Sequence, residues 1–187
     1  MHVTIVIDIK IDHPVPMNYL RIYEAVSGGL VDIHPLHGRD ELLVNLKAAR
    51  ILADCGYKIE LLPSIPATEV EKRAEWLWDV FGDKNPDVRI DGHMIGDIKT
   101  PVVAIRQSSI NRCIYACAKQ KVSVSIINLL GKKYALHDIR KGIIGALQPG
   151  RNKTVKEVWI ITSGGNLFKV DRGTVFDESI YAALNYL

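Results

Sequence analysis

The sequence predicts an α/β fold. Segments with helical spacing alternate with short strand-like runs from residue 39 to residue 170. An Asp91-Gly92 turn joins two apolar runs in the manner of a β-hairpin. A chain of 187 residues, 48% hydrophobic and 24% charged, is long enough to bury a substantial core as one domain.

Residues 1–12 carry Asp8, Lys10 and Asp12 within an alternating apolar pattern, for which a strand and not a signal peptide is expected. Pro14-Val15-Pro16 breaks the chain. A short helix is expected over 17–26, stopped by Gly28-Gly29. Leu42, Leu43, Leu46, Ala49, Ile51 and Leu52 approximate one helical face over 39–54, and Gly56 marks its end. Residues 57–62 read as a strand closed by Pro63, and residues 67–81 as a second helix.

The hairpin follows. Val88 to Ile90 runs into the turn and Met94 to Lys99 returns, with Pro101 ending the second strand. Residues 108–119 predict a helix and 122–127 an apolar strand. Beyond them a helix is expected at 134–147, a strand at 157–162, a turn at Ser163-Gly164-Gly165-Asn166 and a strand at 167–170. No apolar run reaches the roughly eighteen residues of a membrane span, so a soluble protein is expected.

The net charge of +3 is unevenly spread. Residues 1–98 hold 10 Lys and Arg against 16 Asp and Glu, whereas residues 99–187 hold 14 against 5. The basic half, with Lys132/Lys133, Arg140/Lys141 and Arg151/Lys153/Lys156, suits contact with a phosphate backbone. Cys55, Cys113 and Cys117 make no disulfide framework and are expected as buried thiols. His34 and His37 have no third ligand near in sequence and are expected on the surface, and the tryptophans are expected as packing anchors. Gly164-Gly165 lacks the spacing of a phosphate-binding loop, and Ser163 lacks a nucleophile elbow.

The chemistry concentrates between Asn85 and Pro101. With a three-residue loop of Asp91, Gly92 and His93, Ile90 pairs with Met94, Val88 with Gly96, and Asp87 falls opposite Asp97. Directly opposed residues have Cβ atoms about 4.5–5.5 Å apart, and Lys99 shares the face of Asp97 because side chains alternate along a strand. Two carboxylates so close ask for a proton or a divalent cation. Mg²⁺ accepts one or two carboxylates with retained waters, and Mn²⁺ can replace it. An adjacent lysine can orient or deprotonate an attacking water, or stabilise a pentavalent phosphate.

Pro86-Asp87 followed by Asp97-Ile98-Lys99 resembles the signature of the PD-(D/E)XK nuclease superfamily. The element order over about 39–129 resembles its restriction-endonuclease-like αβββαβ core, a central mixed sheet flanked by helices, with the helix at 67–81 inserted. The N-terminal leader (1–38, with its strand) and a C-terminal α/β extension (130–187) would complete a single nuclease-like domain over 1–187. The chain looks most similar to the C-terminal nuclease toxin domains of contact-dependent growth inhibition and other polymorphic toxin proteins, through Glu41, Asn45, Ala48/Ala49, Gly56-Tyr57 and Asn85-Pro86-Asp87. Asp97 stands where many members place Glu.

By this resemblance Asp87, Asp97 and Glu41 would ligate the metal, with Asp40 competing for the third place, and Lys99 would act on the water or the transition state. Lys119 and Gln120 at the end of one helix, and Arg106 and Gln107 after the hairpin, would contact nucleic acid. The resemblance implies a metal-dependent endonuclease acting on RNA or DNA in the cytoplasm. It also implies export within a toxin system and, for a toxin, an immunity protein as partner. Two other readings stay open: a non-catalytic nucleic-acid- or protein-binding module on a nuclease-like fold, and an adaptor in which Asp97 and Lys99 are merely an exposed strand pair.

Overall fold

The computed structural model describes residues 18–102 and 104–175. The strand expected at 1–12 and the proline break at 14–16 lie outside the described residues. The elements run β1 (Leu20–Glu24), β2 (Leu30–Ile33), α1 (Leu42–Asp54), β3 (Lys58–Leu61), α2 (Val70–Trp76), β4 (Val88–Ile90), β5 (Met94–Lys99), α3 (Gln107–Lys119), β6 (Val124–Asn128), α4 (Leu136–Leu147), β7 (Glu157–Ile161) and β8 (Leu167–Asp171). No helix among the described residues is long and apolar enough to cross a membrane.

All eight strands form one mixed sheet in sequential order. The β2/β3, β5/β6 and β6/β7 pairs are parallel and the other four are antiparallel. Each parallel step is bridged by a helix (α1, α3 and α4 in turn), as a crossover requires. The α/β class expected from the sequence is therefore the class observed.

Side-chain alternation sorts the sheet into two cores. Val31, Ile59, Leu61, Ile126, Trp159 and Ile161 pack with α1, while Ile127, Val158, Ile160 and Val170 pack with α3 and α4. The buried α1 face is mostly small, Ala48, Ala49, Leu52 and Ala53, so the helix can lie close to the strands. On the other face, a Cβ at Gly142 would stand 2.5 Å from Ile110 Cβ, which is why α4 carries glycine where it meets α3. Ile98 belongs to the α1 core, so its neighbours Asp97 and Lys99 project from the opposite face, towards α3.

Several expectations are corrected. The helix expected at 17–26 is instead β1, paired antiparallel with a β2 that the sequence pattern did not reveal. Gly28, at φ +85°, and Gly29 form the hairpin turn, and a Cβ on Gly29 would collide with the Ala53 carbonyl at 1.9 Å. The glycines that suggested a helix stop thus turn one strand into the next against α1. The helix expected at 67–81 shortens to α2, because the Arg73 guanidinium gathers the carbonyls of Ile65, Gly82 and Lys84 and folds the following segment back. Cys117 is buried, but Cys55 is exposed at the helix end. Trp76 and Trp159 pack as expected, whereas Trp78 is 67% exposed with the Arg89 guanidinium over its ring.

The hairpin register matches expectation: Ile90 pairs with Met94, Arg89 with Ile95 and Val88 with Gly96. The 163–166 segment is the turn expected, with Gly165 N donating to Thr162 O and Thr162 N to Asn166 O.

Candidate active site

The strand directions bring the carboxyl ends of β2, β3, β5, β6 and β7, and the start of β4, to one edge of the sheet. That edge is where open α/β sheets bind ligands, because successive connections leave it from different strands. Asp87 sits one residue before β4, and Asp97 and Lys99 occupy the end of β5.

The three side chains converge. Lys99 Nζ lies 2.9 Å from Asp97 Oδ2 and 3.6 Å from Asp87 Oδ2. Asp97 is 1% exposed, lying under α3, where Cys117 Sγ donates to its backbone carbonyl at 3.4 Å. Burial, and then the charge of Asp87, push the Asp97 carboxyl up to about 7, against the opposing pull of Lys99. Burial pulls the Lys99 ammonium down, but the two carboxylates outweigh it and hold the ammonium above the ordinary lysine range. Lys99 is therefore a cation at neutral pH.

Asp87 is held by donors on both oxygens. Ile98 N donates to Oδ2 at 2.7 Å and Asn45 Nδ2 to Oδ1 at 3.1 Å. The preceding Asn85 is fixed as well: its Oδ1 accepts from Ile65 N and Arg73 Nη1, and its N–H donates to Gln120 Oε1 at 3.3 Å. Gln120 thus reaches the loop that carries Asp87. Lys119 does not, its ammonium lying 4.7 Å from the centre of the Tyr115 ring.

Asp87 opens onto a cavity of about 280 Å³, lined also by Asp40, Glu41, Asn45, Ser64 and Asn85. Glu41 occupies the N-cap position of α1, exposed and without a side-chain capping bond. Asp40 and Glu41 line the same cavity as Asp87, yet no group of three His, Cys, Asp or Glu side chains among the described residues is arranged to hold a metal ion. Asp97 Oδ2 is buried and takes no hydrogen bond of proper geometry, facing the Lys99 ammonium instead. A buried carboxylate oxygen of this kind beside a second carboxylate fits a cation such as Mg²⁺, which needs one or two protein carboxylates and keeps its waters. Arg106 and Gln107 line a different cavity, of about 500 Å³, with Ser108, Asn111, Arg112 and Asp138.

The histidines contradict expectation. His34 is fully buried in a cluster of edge contacts with the rings of Tyr19 and Trp76, and His37 is 7% exposed beside Asn45. Both follow β2, so recognising that strand is what would have placed them at the site edge. Arg73, which fixes Asn85, gave no sequence signal beyond its place on a helix.

No protein-family model matches the chain, and no curated protein sequence matches it. In fold it is similar to a chain of the CdiA-CT/CdiI toxin and immunity complex from Burkholderia pseudomallei, at a TM-score of 0.51 and 22% identity, over 73% of this chain and 91% of that one. The likeness is one of fold.

Proposed function

We propose that the chain is a metal-dependent endonuclease of the PD-(D/E)XK type that hydrolyses phosphodiester bonds in RNA or DNA. The observation that carries this reading is the convergence of Asp87, Asp97 and Lys99 at the carboxyl edge of the sheet. Asp87 and Asp97 would hold Mg²⁺ or Mn²⁺, with Glu41 near enough to the cavity to act through an intervening water. The bound cation supplies charge stabilisation of the phosphoryl group and a more acidic water.

The chain's own groups would do the rest. Lys99, whose ammonium lies against both carboxylates, would orient the attacking water or neutralise charge on the phosphorane. As the water oxygen bonds to phosphorus and gives up a proton to solvent, the phosphorus bond to the leaving ribose oxygen breaks and that oxygen takes up a proton from solvent. The basic carboxy-terminal half would carry the flanking backbone.

The fold likeness to a chain from a toxin and immunity complex supports a toxin role with an immunity protein as partner; a nucleic-acid-cutting toxin would act in the cytoplasm of a target cell. Labelled tRNA, single-stranded RNA and duplex DNA are incubated with Mg²⁺, Mn²⁺ or EDTA. Cleavage that EDTA abolishes, and that Asp97→Ala and Lys99→Ala both lose, is the expected result. A folded protein that cuts none of the substrates under any condition would instead indicate a binding module.

A further inference from the structure

We infer that His37 and Asn45 are positioning residues for Asp87, acting through a closed hydrogen-bonded ring that neither the motif nor its spacing contains. His37 Nδ1 lies 2.6 Å from Leu62 O. A carbonyl only accepts, so Nδ1 carries the proton, and Nε2 of the neutral ring is an acceptor. Asn45 Nδ2 lies 3.2 Å from that Nε2 and 3.1 Å from Asp87 Oδ1. Both neighbours are acceptors, and the amide nitrogen has two hydrogens to give. Turning the Asn45 amide over would aim its oxygen at two lone pairs, so one orientation is fixed.

Leu62 N in turn donates to Asp87 O at 2.9 Å. The ring therefore runs from Leu62 through His37 and Asn45 to the Asp87 carboxylate and back through the Asp87 backbone. It ties together the end of β3, the loop after β2, the first turn of α1 and the start of β4. Asn45 is 2% exposed and His37 7%, so both bonds lie largely out of bulk solvent, where they are stronger than in water. With Ile98 N on Oδ2, the ring fixes both Asp87 oxygens and leaves their remaining lone pairs for Lys99 and the reaction. His37 touches no reacting group, and its influence on the Asp87 carboxylate passes through Asn45.

The kinetic arm of the test rests on the nuclease reading, and the spectroscopic arm does not. Asn45→Ala, His37→Phe and the double variant are compared with the wild type on a cleaved substrate. Each single change is expected to lower kcat about 10- to 100-fold, the usual cost of removing a group that orients an active-site ligand, with KM within about twofold. The double variant should be no slower than Asn45→Ala, because the two residues form one chain. Losses that multiply, or that track a fall in urea midpoint with KM changing in step, would reduce both residues to packing.

In ¹⁵N- and ¹³C-labelled protein, the His37 ring should carry its proton on Nδ1, and both single changes should move the Asp87 carboxyl resonance. A proton on Nε2, or an unmoved carboxyl, overturns the inference. If the wild type cuts no nucleic acid, the nuclease reading fails alone, and the spectra still decide the ring.

Discussion

The Lys99 ammonium stands 2.9 Å from Asp97 Oδ2 inside a site where Asp97 is almost wholly removed from solvent. The cation compensates two carboxylates at once, so its removal leaves buried negative charge. Breaking a buried ion pair from one side typically costs about 3–5 kcal/mol. Lys99→Met should therefore destabilise the protein strongly at pH 8 in urea unfolding, and much less at pH 5, where Asp97 holds a proton. The same variant should lose at least about 100-fold in cleavage, the scale expected when a group stabilising transition-state charge is deleted.

Asp97 makes a pH prediction of definite sign. Its carboxyl rises from 3.8 in the unfolded chain to about 7 in the folded one. Between those values the folded state holds a proton that the unfolded state has lost, so this group makes stability fall as pH rises from about 4 to 7. Above 7 the full cost of a buried carboxylate is present, on the order of 4 kcal/mol with the pull of Lys99 already included. Asp97→Asn should abolish most of that slope and raise the urea midpoint at pH 8 in the absence of divalent cations, while eliminating cleavage. An equal slope in the variant would place the titration elsewhere.

Arg73 holds the Asp87 loop from a distance. Its guanidinium donates to the carbonyls of Ile65, Gly82 and Lys84 and to Asn85 Oδ1, with the side chain 8% exposed. Arg73→Met keeps the apolar stem and leaves four acceptors to find water. A loss of about 2–4 kcal/mol is expected, since buried acceptors without partners cost about 1–3 kcal/mol each and some will be rehydrated. Hydrogen exchange should quicken at Ile65 and Asn85 while the helical amides of α3 keep their protection. Uniform acceleration would mean that Arg73 stabilises the whole domain and not the loop.

What could be read in advance follows from how local each determinant is. The Asp91-Gly92 turn dictates the hairpin, with Asp91 at φ +49° and Gly92 at φ +76°, so the register and the meeting of Asp87, Asp97 and Lys99 were legible from a dozen residues. β1 and β2 were not, because strands of five and four residues owe their state to each other and to β3, and ten residues read alone fit a helix equally well. Missing β2 also misplaced His34 and His37, whose burial depends on where that strand ends. Glu41 was found by resemblance and does line the cavity, but its distance from Asp97 is set by the packing of α1 on the sheet, which no motif encodes.

The proposed cation site predicts a stability effect separate from catalysis. A ligand that binds only the folded state stabilises it by RT ln(1 + [L]/Kd), about 1.4 kcal/mol when the free ion is at ten times its Kd. Mg²⁺ would also take over the compensation of Asp87 and Asp97, so its effect should grow as Asp97 ionises. Thermal unfolding of the wild type with 10 mM Mg²⁺, a concentration of about this order relative to a millimolar Kd, should shift upward at pH 8 and little at pH 5. Asp97→Asn should lose the shift, while Glu41→Gln should reduce it only partly, since Glu41 lines the cavity without joining the buried pair. A shift of equal size in wild type and Asp97→Asn would assign the ion to the acidic surface at large and remove Asp97 from the ligand set.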